Sequence, residues 1–239
     1  ESLEGKRAQP RFKPPFPAVE GAWKCPTAVN NVETLCNVPL VMTRGPEWYA
    51  ALGPEKNGGP KMFCVSGAVK NPGVFAAPMK VTLKELTYDY AGGPKDGHTV
   101  KAVIPGGSSV PILMPDQLDI PASFDDVQRA GSLLGSAAIM VLDETTDMVW
   151  LAENLLHFYR HESCGKCTPC REGTDWLYRL LHRMVQGQAT EKDITLLQSV
   201  ASQINGKTLC AFGDAAATPV LTTLKWFKPE FERSEEQRL

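Results

Sequence analysis

The chain has 239 residues, 22% of them charged and 43% hydrophobic, with a formal net charge of -2. That composition is ordinary for a globular protein with one or two cores, and the charge supplies no field that would recruit nucleic acid or an acidic membrane surface. The longest candidate apolar run, Ala137 to Leu142, has strand length and falls far short of the roughly 20 residues a spanning helix needs, so no direct membrane insertion is expected.

The first residues, Glu1 to Gln9, lack the apolar stretch of a signal peptide and do not begin with Met, so a longer or processed parent chain is expected. Residues 6–27 read as a loop, because Pro10, Pro14, Pro15, Pro17 and Pro26 forbid helix over most of it. Phe12, Phe16 and Trp23 are interleaved with the prolines, so the loop is expected to be ordered and packed. Asn31 to Met42 carries a partial helical stripe through Thr34, Leu35, Val38, Val41 and Met42, interrupted by Pro39.

Residues 61–66 read as a strand, Asn71-Pro72-Gly73 as a turn, and Val74-Phe75 as the start of a second strand. A short helix is expected from Thr82 to Ala91, with Thr82 as cap, Glu85 at the capping-box position and Gly92-Gly93 as its end. Val100 to Ile104 and Ala137 to Asp143 are further strands, and together these elements predict a small α+β domain closing near residue 145.

From about residue 146 the period becomes helical. Met148, Leu151, Leu155, Phe158 and Tyr159 form one face; Trp176, Leu177, Leu180, Leu181, Met184 and Val185 form the next, ended by Gly187. Thr190 to Asp193 is a capping box that opens a helix with Ile194, Leu197, Val200, Ala201 and Ile204 inward, closed by Asn205-Gly206. Asp214 is expected to cap a last helix carrying Val220, Leu221, Leu224 and Phe227. Four amphipathic helices on short loops predict a bundle. Trp150, Trp176 and Trp226 are assigned to its core, and Glu230 to Arg238 to a solvated tail.

Seven cysteines, an odd number at irregular spacing, argue against a secreted disulfide framework. Cys25, Cys36 and Cys64 are read as plain buried small hydrophobes. The other four form a pattern. Cys164-Gly-Lys-Cys167-Thr-Pro-Cys170 is C-x₂-C-x₂-C, and Cys210 follows after two helices. Three closely spaced thiolates with a fourth from elsewhere are a recurring way to hold an iron–sulfur cluster. Gly165 is expected to keep bulk off one approach and Pro169 to stiffen another. The helix after Cys170 would turn its free N–H groups toward an anionic cluster. Structural zinc is the rival, although it more often uses two separated cysteine pairs or a Cys/His mixture, with His161 near enough to compete. A disulfide with spare thiols leaves the spacing unexplained.

The stretch Glu162 to Gly173 around these cysteines resembles the cluster signature of the NADH-oxidising flavoprotein subunit of respiratory complex I, a family shared with the diaphorase subunits of NAD-linked hydrogenases and formate dehydrogenases. Pro26 to Leu35 resembles that family's flavin-side signature, Ser66 to Gly73 its ubiquitin-like domain, and Gly131 to Gly135 and Thr208 to Gly213 fit as well. The resemblance covers essentially the whole chain but only the latter part of the subunit. It implies an α+β chain: residues 1–55 as the end of a Rossmann-like FMN-binding domain, 56–145 as a ubiquitin-like domain, and 146–239 as a four-helix bundle with the cluster.

The function implied is electron transfer in NADH:quinone oxidoreductase. NADH reduces FMN, the [4Fe–4S] cluster on Cys164, Cys167, Cys170 and Cys210 takes single electrons, and partner subunits, one with a 2Fe–2S cluster and one with several clusters, receive them. Carried over from the family, Val29, Asn30, Asn31 and Thr34 contact the FMN; from the residues alone Asn30-Asn31 is a loop or cap pair. The location implied is the cytoplasmic or matrix side, peripheral to the membrane through the complex. The family's Gly-rich nucleotide loop is absent, since Gly58-Gly59 and Gly106-Gly107 lack the G-x-G-x-x-G context, so this segment alone is expected to be inactive with NADH. Ala76-Ala77 also departs from the Glu that many relatives carry after the Pro-Gly turn. Asp125-Asp126 and Asp143-Glu144 are read as solvated turns. The alternatives are a hydrogenase or formate dehydrogenase diaphorase and a non-catalytic partner-docking module.

Overall fold

This computed structural model describes residues 5–232. The chain enters through an irregular segment with one short 3₁₀ turn at Ala22–Lys24. Phe12, Phe16 and Trp23 are 72%, 56% and 86% exposed, so the proline-rich loop is not packed through these rings as expected. Helix α1, Val32–Arg44, begins where the Asn31 side chain accepts the N–H groups of Glu33 and Thr34, and Pro39 sits inside it. Helix α2, Pro46–Ala50, starts on Pro46, whose missing N–H costs nothing at a helix start.

Strand β1 (Pro60–Gly67) pairs antiparallel with β2 (Gly73–Pro78), in the register Cys64 to Val74. Helix α3, Leu83–Glu85, opens on the expected reciprocal box between Thr82 and Glu85 and runs into a wider turn at Leu86–Tyr90. Strand β3 is Val100–Ile104. Helix α4, Phe124–Arg129, is capped by Ser123. It corrects the reading of Asp125-Asp126 as a turn: Ser123 donates to Asp126 and Asn57 donates to Asp125. Strand β4, Ala138–Asp143, pairs parallel with β1 and antiparallel with β3, giving the order β2-β1-β4-β3. Phe63 and Val65 of β1 point into the core with Leu83, Leu86, Leu118 and Ile139; the alternate residues Met62 and Cys64 face outward.

Four longer helices follow: α5 (Met148–Glu162), α6 (Thr168–Val185), α7 (Glu191–Ile204) and α8 (Phe212–Phe231). Leu156, Leu177, Leu181, Leu197, Ala201, Ala217 and Val220 form their common core. The Thr190–Asp193 box is present as expected. Trp150, Trp176 and Trp226 are 52%, 56% and 40% exposed, so none is a core residue as the sequence suggested. Phe158 likewise faces outward. Asp214 does not cap α8; it accepts the Gly206 N–H at 2.6 Å, and Ala211 holds the cap position.

The sheet and the helices share a third cluster, with Ala102, Ile104 and Leu142 against Met148, Leu151 and Phe227. Across the same seam Lys101 pairs with Glu230 at 2.6 Å, Glu230 accepts the Met148 N–H at 3.0 Å, and the Ile112 N–H reaches Thr222 Oγ1 at 3.0 Å. Glu230 and Phe231 are therefore buried, which corrects their assignment to a solvated tail; the rest of that tail, from residue 233, lies outside the described residues.

Candidate metal centre

Each cysteine of the motif is placed by local chain chemistry. Helix α5 ends at Glu162, and Ser163 turns the chain out of it. Gly165 follows with φ +81°, a left-handed conformation that costs a residue with a Cβ about 1 kcal/mol or more. A Cβ there would meet only Arg171 Cδ, at 3.8 Å, so the backbone conformation and not the expected close approach is what selects glycine. Cys167 takes the N-cap position of α6 with Pro169 in the first turn, so the helix starts at Thr168, earlier than expected, and Cys170 lies within that first turn. Thr174 Oγ1 bonds the Cys170 carbonyl at 2.8 Å and fixes that turn from below.

Cys210 arrives on the loop between α7 and α8. Thr208 Oγ1 donates to the Cys210 carbonyl at 2.8 Å, and Leu209 N–H donates to Cys167 Sγ at 3.4 Å, joining this loop to the triplet. Gly213 makes the loop fit: a Cβ there would lie 2.4 Å from Thr208 Oγ1.

The four sulfurs share one cavity of about 340 Å³, whose wall also includes Ser163, Thr208 and Gly213. Cys170 is buried; Cys164, Cys167 and Cys210 are partly exposed, and all four are free thiols. Burial pushes the Cys170 thiol above its ordinary value. Contact with Ser163 Oγ, 3.3 Å away, opposes this, and the sulfurs of Cys164, Cys210 and Cys167 add to it. Negative charge on Cys170 is thus disfavoured in the free site, a cost that a bound polycation removes. Among the described residues, no three His, Cys, Asp or Glu side chains are arranged to hold a single metal ion. All-thiolate donors around a cavity, two of them at the N-terminus of α6, fit a [4Fe–4S] cluster. The His161 side chain is 82% exposed and does not line this cavity.

The flavin-side residues lie apart from the cysteines. Asn31 and Thr34 border a second cavity of about 510 Å³ with Tyr49, Lys61 and Phe124; Val29 and Asn30 do not line it, and the two cavities share no residue. All four are exposed. Asn31 Oδ1 is engaged as the cap of α1, the bland reading of the Asn pair. Glu33 accepts from Lys61 Nζ and Met62 N–H, both at 2.8 Å, and so ties α1 to β1. Cys25, Cys36 and Cys64 are exposed, contrary to their assignment as buried hydrophobes.

Residues 150–234 match the NADH-ubiquinone oxidoreductase-F iron-sulfur binding region, and residues 61–141 match the SLBB domain. The chain is 49% identical to an F subunit of NADH-quinone oxidoreductase from Rhizobium meliloti (strain 1021), over all of this chain and 56% of that protein. It is 47% identical to the F subunit of NADH-quinone oxidoreductase from Mycobacterium tuberculosis (strain H37Rv), over 97% of this chain and 52% of that protein. It also superposes on a chain of an NAD⁺-reducing [NiFe]-hydrogenase with a TM-score of 0.86 and 36% identity, covering all of this chain and 40% of that one. The chain thus spans about half the length of the curated relatives it matches. Over its whole length the chain is therefore similar to part of the NADH-quinone oxidoreductase F subunits.

Proposed function

We propose that this chain carries the first one-electron station after the flavin in an NADH-oxidising subunit. In this reading Cys164, Cys167, Cys170 and Cys210 hold a [4Fe–4S] cluster, which stores and releases single electrons when bound. The observation that carries it is the convergence of four thiols from two separate loops on one cavity of about 340 Å³. The chain's own work is positional. The start of α6 presents unsatisfied N–H groups, and Leu209 N–H bonds the Cys167 sulfur; both favour negative charge at the site.

The remaining assignments follow the family. Residues 1–55 complete an FMN-binding domain through Val29, Asn30, Asn31 and Thr34, with NADH bound mostly by the portion of the relatives that this chain does not span. Residues 56–145 form the ubiquitin-like domain and 146–239 a four-helix bundle. Electrons arrive from NADH through FMN and leave to partner iron–sulfur subunits, one with a 2Fe–2S cluster, in a complex peripheral to a membrane on its cytoplasmic or matrix side. Among the described residues, no helix is long and apolar enough to cross a membrane.

Cys210→Ser tests the reading. In the assembled complex it should abolish electron transfer from NADH to the downstream acceptor; intact transfer would refute the relay and favour a docking module. The likeness to a hydrogenase chain supports a second reading, a diaphorase subunit. Co-purification separates the two: quinone-linked membrane subunits point to the first, a nickel-bearing subunit to the second.

A further inference from the structure

Residues 7–12 lie directly against the cysteine loop, although Arg7 and Ser163 are 156 positions apart. Arg7 Nη2 donates to the carbonyl of Ser163 at 2.8 Å and to that of His161 at 3.4 Å. Gln9 Nε2 donates to the Cys164 carbonyl at 3.4 Å. The loop answers: Lys166 Nζ donates to the Pro10 carbonyl at 2.7 Å and lies 5.7 Å from the centre of the Phe12 ring. Arg171 Nη1 holds the Gly165 carbonyl at 2.6 Å. Gln9 and Pro10 also form part of the wall of the cysteine cavity.

Two consequences follow from elementary geometry and charge. In a trans peptide the C=O and the next N–H point in opposite directions. A donor on the Ser163 carbonyl therefore turns the Cys164 N–H away from Arg7, and one on the Cys164 carbonyl turns the Gly165 N–H away from Gln9. That Gly165 N–H donates to Ser163 Oγ at 3.4 Å, and Ser163 Oγ touches Cys170 Sγ at 3.3 Å. The outer donors thus set the direction of N–H groups in the loop that holds the sulfurs. The guanidinium at the C-terminal end of α5 also satisfies carbonyls that lack helical partners. Arg7 and Lys166 place positive charge beside a group that gains negative charge on reduction, and the strap limits water on that side.

We propose that residues 7–12 are a strap closing the cysteine cavity, and that Arg7 is its positioning residue: it orients the cysteine loop, protects the iron and raises the reduction potential. This rests on the cluster reading above. The test uses the complete subunit in its complex, prepared anaerobically, as wild type, Arg7→Gln, Arg7→Lys and Lys166→Met. The readouts are the midpoint potential from an EPR-monitored redox titration and the rate of iron loss to a ferrous chelator. Arg7→Gln should lower the midpoint and speed iron loss about 10- to 100-fold, the usual effect of removing a partner behind a metal ligand. Arg7→Lys should restore part of the potential. Lys166→Met, which loosens the strap from the loop side, should act in the same direction and serves if Arg7→Gln does not accumulate. Wild-type midpoint and wild-type iron loss in the accumulating variants would overturn the strap. A wild-type protein without iron and sulfide would instead overturn the cluster reading beneath it.

Discussion

Glu144 shows how much a single exposed side chain can organise. It accepts the Thr99 N–H at 2.7 Å and faces His98 Nδ1 at 2.8 Å, pinning the entrance of β3 to the end of β4. The Thr99 N–H and its own backbone N–H hold the Glu144 carboxyl at about 2, below the ordinary 4.5, with His98 and the Thr99 hydroxyl adding to them. A depressed carboxylate stabilises the fold fully above its ordinary value and loses that contribution as pH falls toward the folded value. Wild type should therefore lose stability between pH 4.5 and pH 2, and Glu144→Gln should flatten that part of the curve. Thermal unfolding at stepped pH measures this; identical slopes would show that the contacts do not matter. Residues of this kind are partly legible in the sequence. Asp143-Glu144 reads as a solvated turn, but Asp143 ends β4 and is buried, and nothing local announces the Thr99 partner of Glu144 45 positions away. Arg7, Gln9 and Lys166 give no local signal for the same reason: their contacts with the other strand of the site cross more than 150 positions.

At the scale of elements, hydrogen bonds within a turn or two are readable and orientation is not. The boxes at Thr82–Glu85 and Thr190–Asp193 form as spaced, because each closes within three residues. Ser123 with Asp126 is a cap signal of the same kind, and it opens α4 where a turn was expected. The helical stripe over 176–185 gives α6, but it runs one position too wide: Leu177, Leu180, Leu181 and Met184 are buried while Trp176 is 56% exposed. Hydrophobicity fixes a stripe's width poorly when a large aromatic stands at its border. The distinction is measurable in denaturant unfolding. Leu181→Ala, at a fully buried position, should cost about 2–5 kcal/mol through lost contacts and a cavity. Trp176→Ala should stay within about 0.5 kcal/mol, as exposed substitutions do. A large loss at Trp176 would return it to the core.

At the scale of the molecule, the sheet and the helices are joined by a seam that is apolar at its centre and ionic at its edge. Lys101 and Glu230 are 17% and 9% exposed at their side chains, and the pair bridges β3 to the end of α8. Removing one member of a buried pair leaves the other charge without compensation, at a cost of about 3–5 kcal/mol. Lys101→Ala should therefore lower stability by about 3 kcal/mol, discounted for the partial exposure of the lysine. If it leaves the unfolding midpoint unchanged, the Lys101–Glu230 pair does not hold the seam. The seam also bears on the site. Ser108, from the loop after β3, meets the Tyr159 hydroxyl at 2.8 Å, and the Tyr159 ring packs edge-on against Phe212 on the cavity wall. The order of elements along the chain is legible from turn and period signals, whereas this packing of the sheet against the helices has no local signature.

The four cysteines are the centre of the account, and one measurement addresses them most directly: metal and sulfide analysis of anaerobically purified protein, with EPR after reduction. A bound cluster predicts brown protein with about four iron and four acid-labile sulfide per chain and an EPR signal on reduction, all lost in Cys210→Ser. A colourless protein that contains one zinc per chain and neither iron nor sulfide would contradict it.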